Sequence, residues 1–172
     1  GEFDPETCTF AEKPDTLLNA DVDSCSYMYA RESPNGRFLV FNKYDYGYFP
    51  INHKEADLYL MNLEDGTSKA LERANSSFDE SFHNWSSNSH WILFSSRRED
   101  SIYTCIYICE IDENGNPGKP FLLPQKNPYK FYHNTLFTFN VPDFTKTKVH
   151  MNASKEQKKL FSDERVQLTY KD

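Results

Sequence analysis

Several absences narrow the reading of this 172-residue chain. No window approaches the roughly 18 consecutive apolar residues that a membrane-crossing helix needs, and no charged-then-apolar leader opens the chain. A membrane span is not expected, and Gly1 leaves any export signal further upstream unread. Positive charge is scarce: 19 Lys and Arg against 26 Asp and Glu leave a net charge of -7. Nucleic acid and anionic lipid both require clustered Lys and Arg, so neither is expected as a partner. The four cysteines, Cys8, Cys25, Cys105 and Cys109, form no Cys-x-x-Cys pair, no zinc spacing and no Cys-x-x-Cys-His haem motif, so no cofactor is expected. Cys105 and Cys109 share a strand face about 13 Å apart, beyond disulfide reach, so any bridge would use Cys8, Cys25 or another chain. No Gly-x-Ser-x-Gly elbow accompanies the many Ser, His and acidic residues, and catalysis is not expected.

What the chain does have is aromatic residues, with 14 Phe and 11 Tyr, and an internal repeat. Aromatics favour pleated, half-buried surfaces, so strands are expected. Leu18–Phe41 and Leu71–Phe94 match 53 positions apart without a gap. Leu58–Gly66 then matches Ile106–Gly115 at an offset of 48, because the loop between is five residues shorter in the second copy. A partial third copy begins at Leu123 and keeps the spacing as far as Thr138. Each copy reads as four short strands: in the first, Tyr27–Ala30, the Ser33-Pro-Asn-Gly turn, Arg37–Phe41, Asp57–Leu63, an acidic turn at Gly66, and Lys69–Leu71. Four strands in about 50 residues is the arithmetic of a β-propeller blade. The expected fold is all-β, with about two four-stranded antiparallel blades and part of a third. Residues 1–19 would end a preceding blade, 20–72 and 73–124 would each form one, and 125–172 would hold the partial blade and a cap. One helix is expected at Ser154–Phe161 after the cap residue Asn152, followed by a strand at Val166–Tyr170.

Ser33-Pro-Asn-Gly-Arg-Phe-Leu-Val-Phe followed by Asp57-Leu-Tyr-Leu-Met-Asn-Leu resembles the WD-like repeat of TolB-type propellers. A second resemblance rests on His53-Lys-Glu-Ala-Asp-Leu-Tyr, Ser81-Phe-His-Asn-Trp-Ser-Ser-Asn-Ser, Phe94-Ser-Ser-Arg-Arg-Glu-Asp and Lys119-Pro-Phe-Leu-Leu-Pro-Gln-Lys. These are similar to the C-terminal blades of large bacterial envelope proteins loosely labelled cytochrome c biogenesis proteins. That resemblance implies a periplasmic or outer-surface location and no particular activity; the propeller fold together with the missing catalytic chemistry suggests a non-enzymatic module that binds a protein or glycan through its rim loops. The alternative is an accessory propeller of a redox or hydrolytic enzyme whose catalytic part lies elsewhere. Such relatives carry a haem motif upstream that is missing here, so no redox role is carried over.

Within this frame His53, His83, Arg97 and Arg98 are the candidate binding residues at a rim. His53, His83 and His133 suggest metal, but their spacing forms no ligand pair on one element, and His83 also reads as a buried strand residue. Arg97 and Arg98 could grip a carboxylate or phosphate; alternatively, with Glu99, Asp100 and nearby acids they form an ion-pair network that locks one blade to the next. Trp85, Trp91, Phe78, Phe82 and Phe94 read as the core between sheets. Two blades leave an apolar face open at each end. Two solutions are expected: self-association, or a cap made by Leu123–Asp172, with Ser154–Phe161 and Val166–Tyr170 over one face.

Overall fold

The structure is a computed structural model that describes residues 3–10, 16–134 and 137–162. A short hairpin, β1 (Phe3–Asp4) and β2 (Thr9–Phe10), precedes a one-turn helix α1 (Ala20–Asp23) capped by the Asn19 side chain. Two sheets follow. The first runs β3 (Ser26–Glu32), β4 (Phe38–Tyr44), β5 (Asp57–Asn62) and β6 (Ser68–Ala70). The second runs β7 (Glu80–Trp85), β8 (Trp91–Ser96), β9 (Cys105–Glu110) and β10 (Phe121–Leu122). Each is an antiparallel meander in which neighbours in sequence are neighbours in space. Helices α2 (Pro128–His133) and α3 (Ala153–Leu160) come after them. The all-β expectation therefore holds at the level of two four-stranded sheets. The strand at Val166–Tyr170 falls outside the described residues.

The repeat is reproduced in hydrogen bonds. In the first copy the Ser33 amide donates to the Phe38 carbonyl and the Ser33 hydroxyl faces Asn35 Oδ1; in the second, Ser86, Trp91 and Asn88 do the same. Gly36 and Ser89 hold the positive φ of the two turns, at 71° and 61°. The first strand of each sheet carries a bulge, at Tyr29 with φ 53° and at Phe82 with φ 51°, again 53 positions apart. A bulge inserts an extra residue and re-aims its neighbours; here it brings the Tyr29 and Phe82 rings to 5.0 Å across the two sheets.

Alternation along each strand sorts the side chains onto two faces. Phe38, Val40, Leu58 and Leu60 of the first sheet meet Ile92, Phe94, Tyr107 and Cys109 of the second in one core, joined by Leu71 and Ile111. The turn of the second sheet also reaches across: a Cβ on Gly115 would stand 2.9 Å from Leu60 Cδ2. Trp85 and Phe94 belong to this core. Trp91, Phe78 and Phe82 do not: Trp91 is half-buried on the opposite face beside Phe121, Phe78 lies under Lys54, and the bulge turns Phe82 toward Tyr29.

After Leu123 the strand pattern is interrupted. Leu71 and Leu123 close their sheets in the same way, donating to the Leu58 and Ile106 carbonyls. The first copy then runs directly into β7, but here Pro128 opens α2 and Asn127 caps it, so the spacing shared as far as Thr138 does not become strands at the same positions.

Candidate functional site

The two copies differ most in the loop between their second and third strands, and the longer loop, in the first copy, carries a cluster of exposed aromatics. Tyr46, Tyr48 and Phe49 are 71%, 79% and 58% exposed within four consecutive positions, whereas Phe10, Phe137 and Phe161, equally exposed, stand singly elsewhere. Beneath them the loop is anchored. Tyr44, buried at the end of β4, donates its hydroxyl to the Gly47 carbonyl. A 3-10 turn at Pro50–Asn52 follows, closed by the His53 amide on the Pro50 carbonyl at 2.9 Å, and the Ala56 amide returns to the His53 carbonyl at 3.0 Å. The His53 ring sits 5.0 Å from both Tyr44 and Tyr46 and its Nδ1 lies 2.9 Å from Glu55. A hydrogen bond from the Glu55 amide, and after it the one with His53, lowers the pKa of the Glu55 carboxyl. The loop thus sets an apolar tip on a hydrogen-bonded base. Its aromatic rings offer flat apolar faces and its hydroxyls and Asp45 offer hydrogen bonds.

Of the four residues expected at a rim, only His53 belongs to this loop. His83 does not reach a rim at all. It is 1% exposed, donates through Nε2 to the Val40 carbonyl at 2.9 Å, and burial pushes its pKa down to about 4. The cause is the bulge at Phe82, which interrupts alternation and turns His83 inward.

Arg97 and Arg98 stand on the loop after β8, half-buried, and both turn back onto the protein. Arg98 donates from Nη2 to Glu80 Oε1 at 2.8 Å and to the Ala74 carbonyl, and from Nε to Ser96 Oγ at 3.0 Å. Its guanidinium lies 4.5 Å from the Tyr107 ring centroid and 5.4 Å from that of Phe94. Glu80, fully buried, also accepts from the Ser76 hydroxyl at 2.7 Å, the Ser76 amide at 3.0 Å and Ser96 at 2.8 Å. Arg97 Nη1 lies 3.7 Å from Asp79. The ion pairs thus run to Asp79 and Glu80, at the entry to the second sheet, and not to Glu99 and Asp100. Glu99 instead accepts from Tyr107, and Asp100 accepts the amides of Ile102 and Tyr103.

The thiols are separate and free. Burial pushes Cys105 and Cys109 up to about 11, far from the thiolate that redox or nucleophilic chemistry needs. His133, Glu99, Asp100 and Cys105 border a small cavity with Tyr132 and Leu122. Among the described residues no three His, Cys, Asp or Glu side chains stand close enough to hold a metal ion.

No family model, no curated protein and no solved structure matches the chain.

Of this loop the sequence reading singles out His53 and passes over Tyr46, Tyr48 and Phe49. The signal that could have found them is the repeat itself: the five residues present only in the first copy fall in a Tyr-Asp-Tyr-Gly-Tyr-Phe run too dense in aromatics for a plain turn.

Proposed function

We propose that the chain comprises two consecutive blades of a TolB-like β-propeller and serves as a non-enzymatic interaction module of a bacterial envelope protein, in the periplasm or at the outer surface. Its contact surface is the loop from Asp45 to Glu55, which meets a protein or a glycan through Tyr46, Tyr48 and Phe49. The observation that carries this reading is the exposed aromatic tip on an anchored loop that the second copy lacks. Function is expected in such departures from a scaffold's repeat, since a stacked repeat needs the shared residues for its own core. The two matching meanders support the blade reading, and the resemblance of Ser33–Phe41 and Asp57–Leu63 to the TolB-type repeat supports the compartment.

The test replaces Tyr48 with a photo-crosslinking phenylalanine analogue, exposes the protein to envelope extract, and in parallel screens it on a glycan array. One discrete crosslinked protein or one glycan class is expected, lost in Tyr46→Ala/Tyr48→Ala/Phe49→Ala while the melting temperature stays within a few degrees. Capture that persists in the triple variant, or no capture in either assay, would remove the loop from the reading.

A further inference from the structure

The outward faces of the two sheets are the two halves of an interface the molecule already contains. Positions 38, 40, 58 and 60 face the second sheet; at the repeat offsets of 53 and 48 they become Trp91, Leu93, Ile106 and Ile108, on the outward face of the second sheet. Ile92, Phe94, Tyr107 and Cys109 face the first sheet; their counterparts Leu39, Phe41, Tyr59 and Met61 lie on its outward face. The side-chain stack is kept as well, with Phe94–Tyr107 and Phe41–Tyr59 both at 5.9 Å. One end of the molecule therefore carries the residue pattern that the other end packs against, with Leu39 and Tyr59 half-buried on it and Phe41 and Met61 buried among their strand neighbours.

The tail marks the seat. Where the sheets join, the Glu80 amide donates to the Ala56 carbonyl at 2.9 Å and Asn42 Nδ2 donates to the Glu80 carbonyl. The counterparts of Ala56 and Asn42 are Thr104 and Ser95. The Phe139 amide donates to the Thr104 carbonyl at 3.1 Å, and Ser95 Oγ donates to the Asn140 carbonyl. Phe139 and Asn140 thus sit where the first strand of a further blade would start. Thr104 Oγ1 to the Phe139 carbonyl and Asn84 Nδ2 to the Pro142 carbonyl, at 2.6 and 2.7 Å, hold the strap down. The strap covers this end of the face; Phe121 at the other end is 44% exposed and Trp91 and Ile108 are half-buried. Helix α3, one part of the cap expected from Leu123–Asp172, is exposed along its whole length, and the other part, Val166–Tyr170, lies outside the described residues.

We propose that residues 139–142 are a stand-in for the first strand of a further blade, and that the first sheet of a second copy of this chain displaces them and docks on the second sheet, head to tail. The proposal rests on the reading of the two sheets as blades. Matching faces on opposite ends favour a heterologous contact, which repeats and can close into a ring.

Sedimentation velocity over a hundredfold concentration range tests it. Wild type is expected to associate reversibly. Tyr59→Glu disables one face and Ile108→Glu the other, and each is expected to weaken association at least tenfold. Mixed, the two variants are expected to form a dimer that grows no further, since one intact pair of faces remains; that recovery also shows both are folded. Thr104→Val, which loosens the strap, is expected to strengthen association several-fold. Monomers for wild type and Thr104→Val at every concentration overturn the proposal, as does loss of association in one face variant only, which signals a symmetric contact. A monomer that still captures a partner at Tyr48 would overturn this inference and leave the proposed function standing.

Discussion

The Phe94–Tyr107 and Phe41–Tyr59 stacks are the same pair of rings at the same 5.9 Å separation, set in two different environments. In the second sheet the pair faces the first sheet and Tyr107 is 4% exposed; in the first it faces outward and Tyr59 is half-buried. The cations above them differ accordingly. Lys43 reaches over Tyr59 at 5.3 Å, whereas Arg98 covers Tyr107 and is tied to buried Glu80. A repeat thus specifies a face, and the neighbour decides what that face is for. Where a sheet is present the face carries a buried ion pair; where none is present it carries a half-buried Lys that lies over Tyr27 and Tyr59 without an acidic partner in an ion pair among the described residues.

Breaking this comparison at its strongest point gives the largest effect. Arg98→Ala strips the cation from a fully buried carboxylate and is expected to cost about 3–5 kcal/mol in urea denaturation, whereas Lys43→Ala is expected to cost under ~1 kcal/mol. Equal costs would mean that Glu80 is sustained by Ser76 and Ser96 alone. The two acidic turns give a finer contrast. Gly66 and Gly115 share a φ of 72°, but a Cβ at Gly66 meets nothing within 4 Å and one at Gly115 runs into Leu60 and Phe38. Gly66→Ala is therefore expected to lose about 1–2 kcal/mol, the left-handed penalty alone, and Gly115→Ala to lose roughly 1–3 kcal/mol more from overpacking. Matching losses would place the Gly115 turn away from the sheet junction.

Much of this was legible in the sequence, because a repeat gives two readings of each strand. The strand read at Asp57–Leu63 forms over Asp57–Asn62, and Asn152 caps α3 as its place before the helix indicates. The errors cluster where the period of two is broken. The bulge residues Tyr29 and Phe82 carry no Gly or Pro to announce a positive φ, so both readings of His83, rim residue and buried strand residue, stay open in the sequence until the bulge turns it into the core. The strap escaped because α2 separates Leu123 from Phe139 by sixteen positions where Leu71 and Glu80 are nine apart. The cation partners escaped because Asp79 and Glu80 lie on an adjacent strand, whereas Glu99 and Asp100 are merely next in sequence.

The smallest effect concerns the charges at the junction, read through pH. Burial raises Asp79 to about 6 although Arg97 opposes it, since a 3.7 Å contact does not offset the loss of water. Burial, then Glu80 and Glu72, raises Asp57 to about 6 as well. Both carboxyls hold protons in the folded state that the unfolded state has released, so each contributes stability that is lost as pH rises from about 4 to about 6. His83 works the other way: folded near 4 and unfolded near 6.5, it favours the folded state increasingly as pH rises through the same window. Two falling contributions against one rising leave a net decline for the wild type between pH 4 and 6. Removing one carboxyl in Asp79→Asn is expected to flatten the profile of urea midpoints across that range. Removing the imidazole in His83→Gln is expected to steepen it. If His83→Gln instead flattens the profile, the ring is charged in the folded protein, and its bond to the Val40 carbonyl is that of an imidazolium.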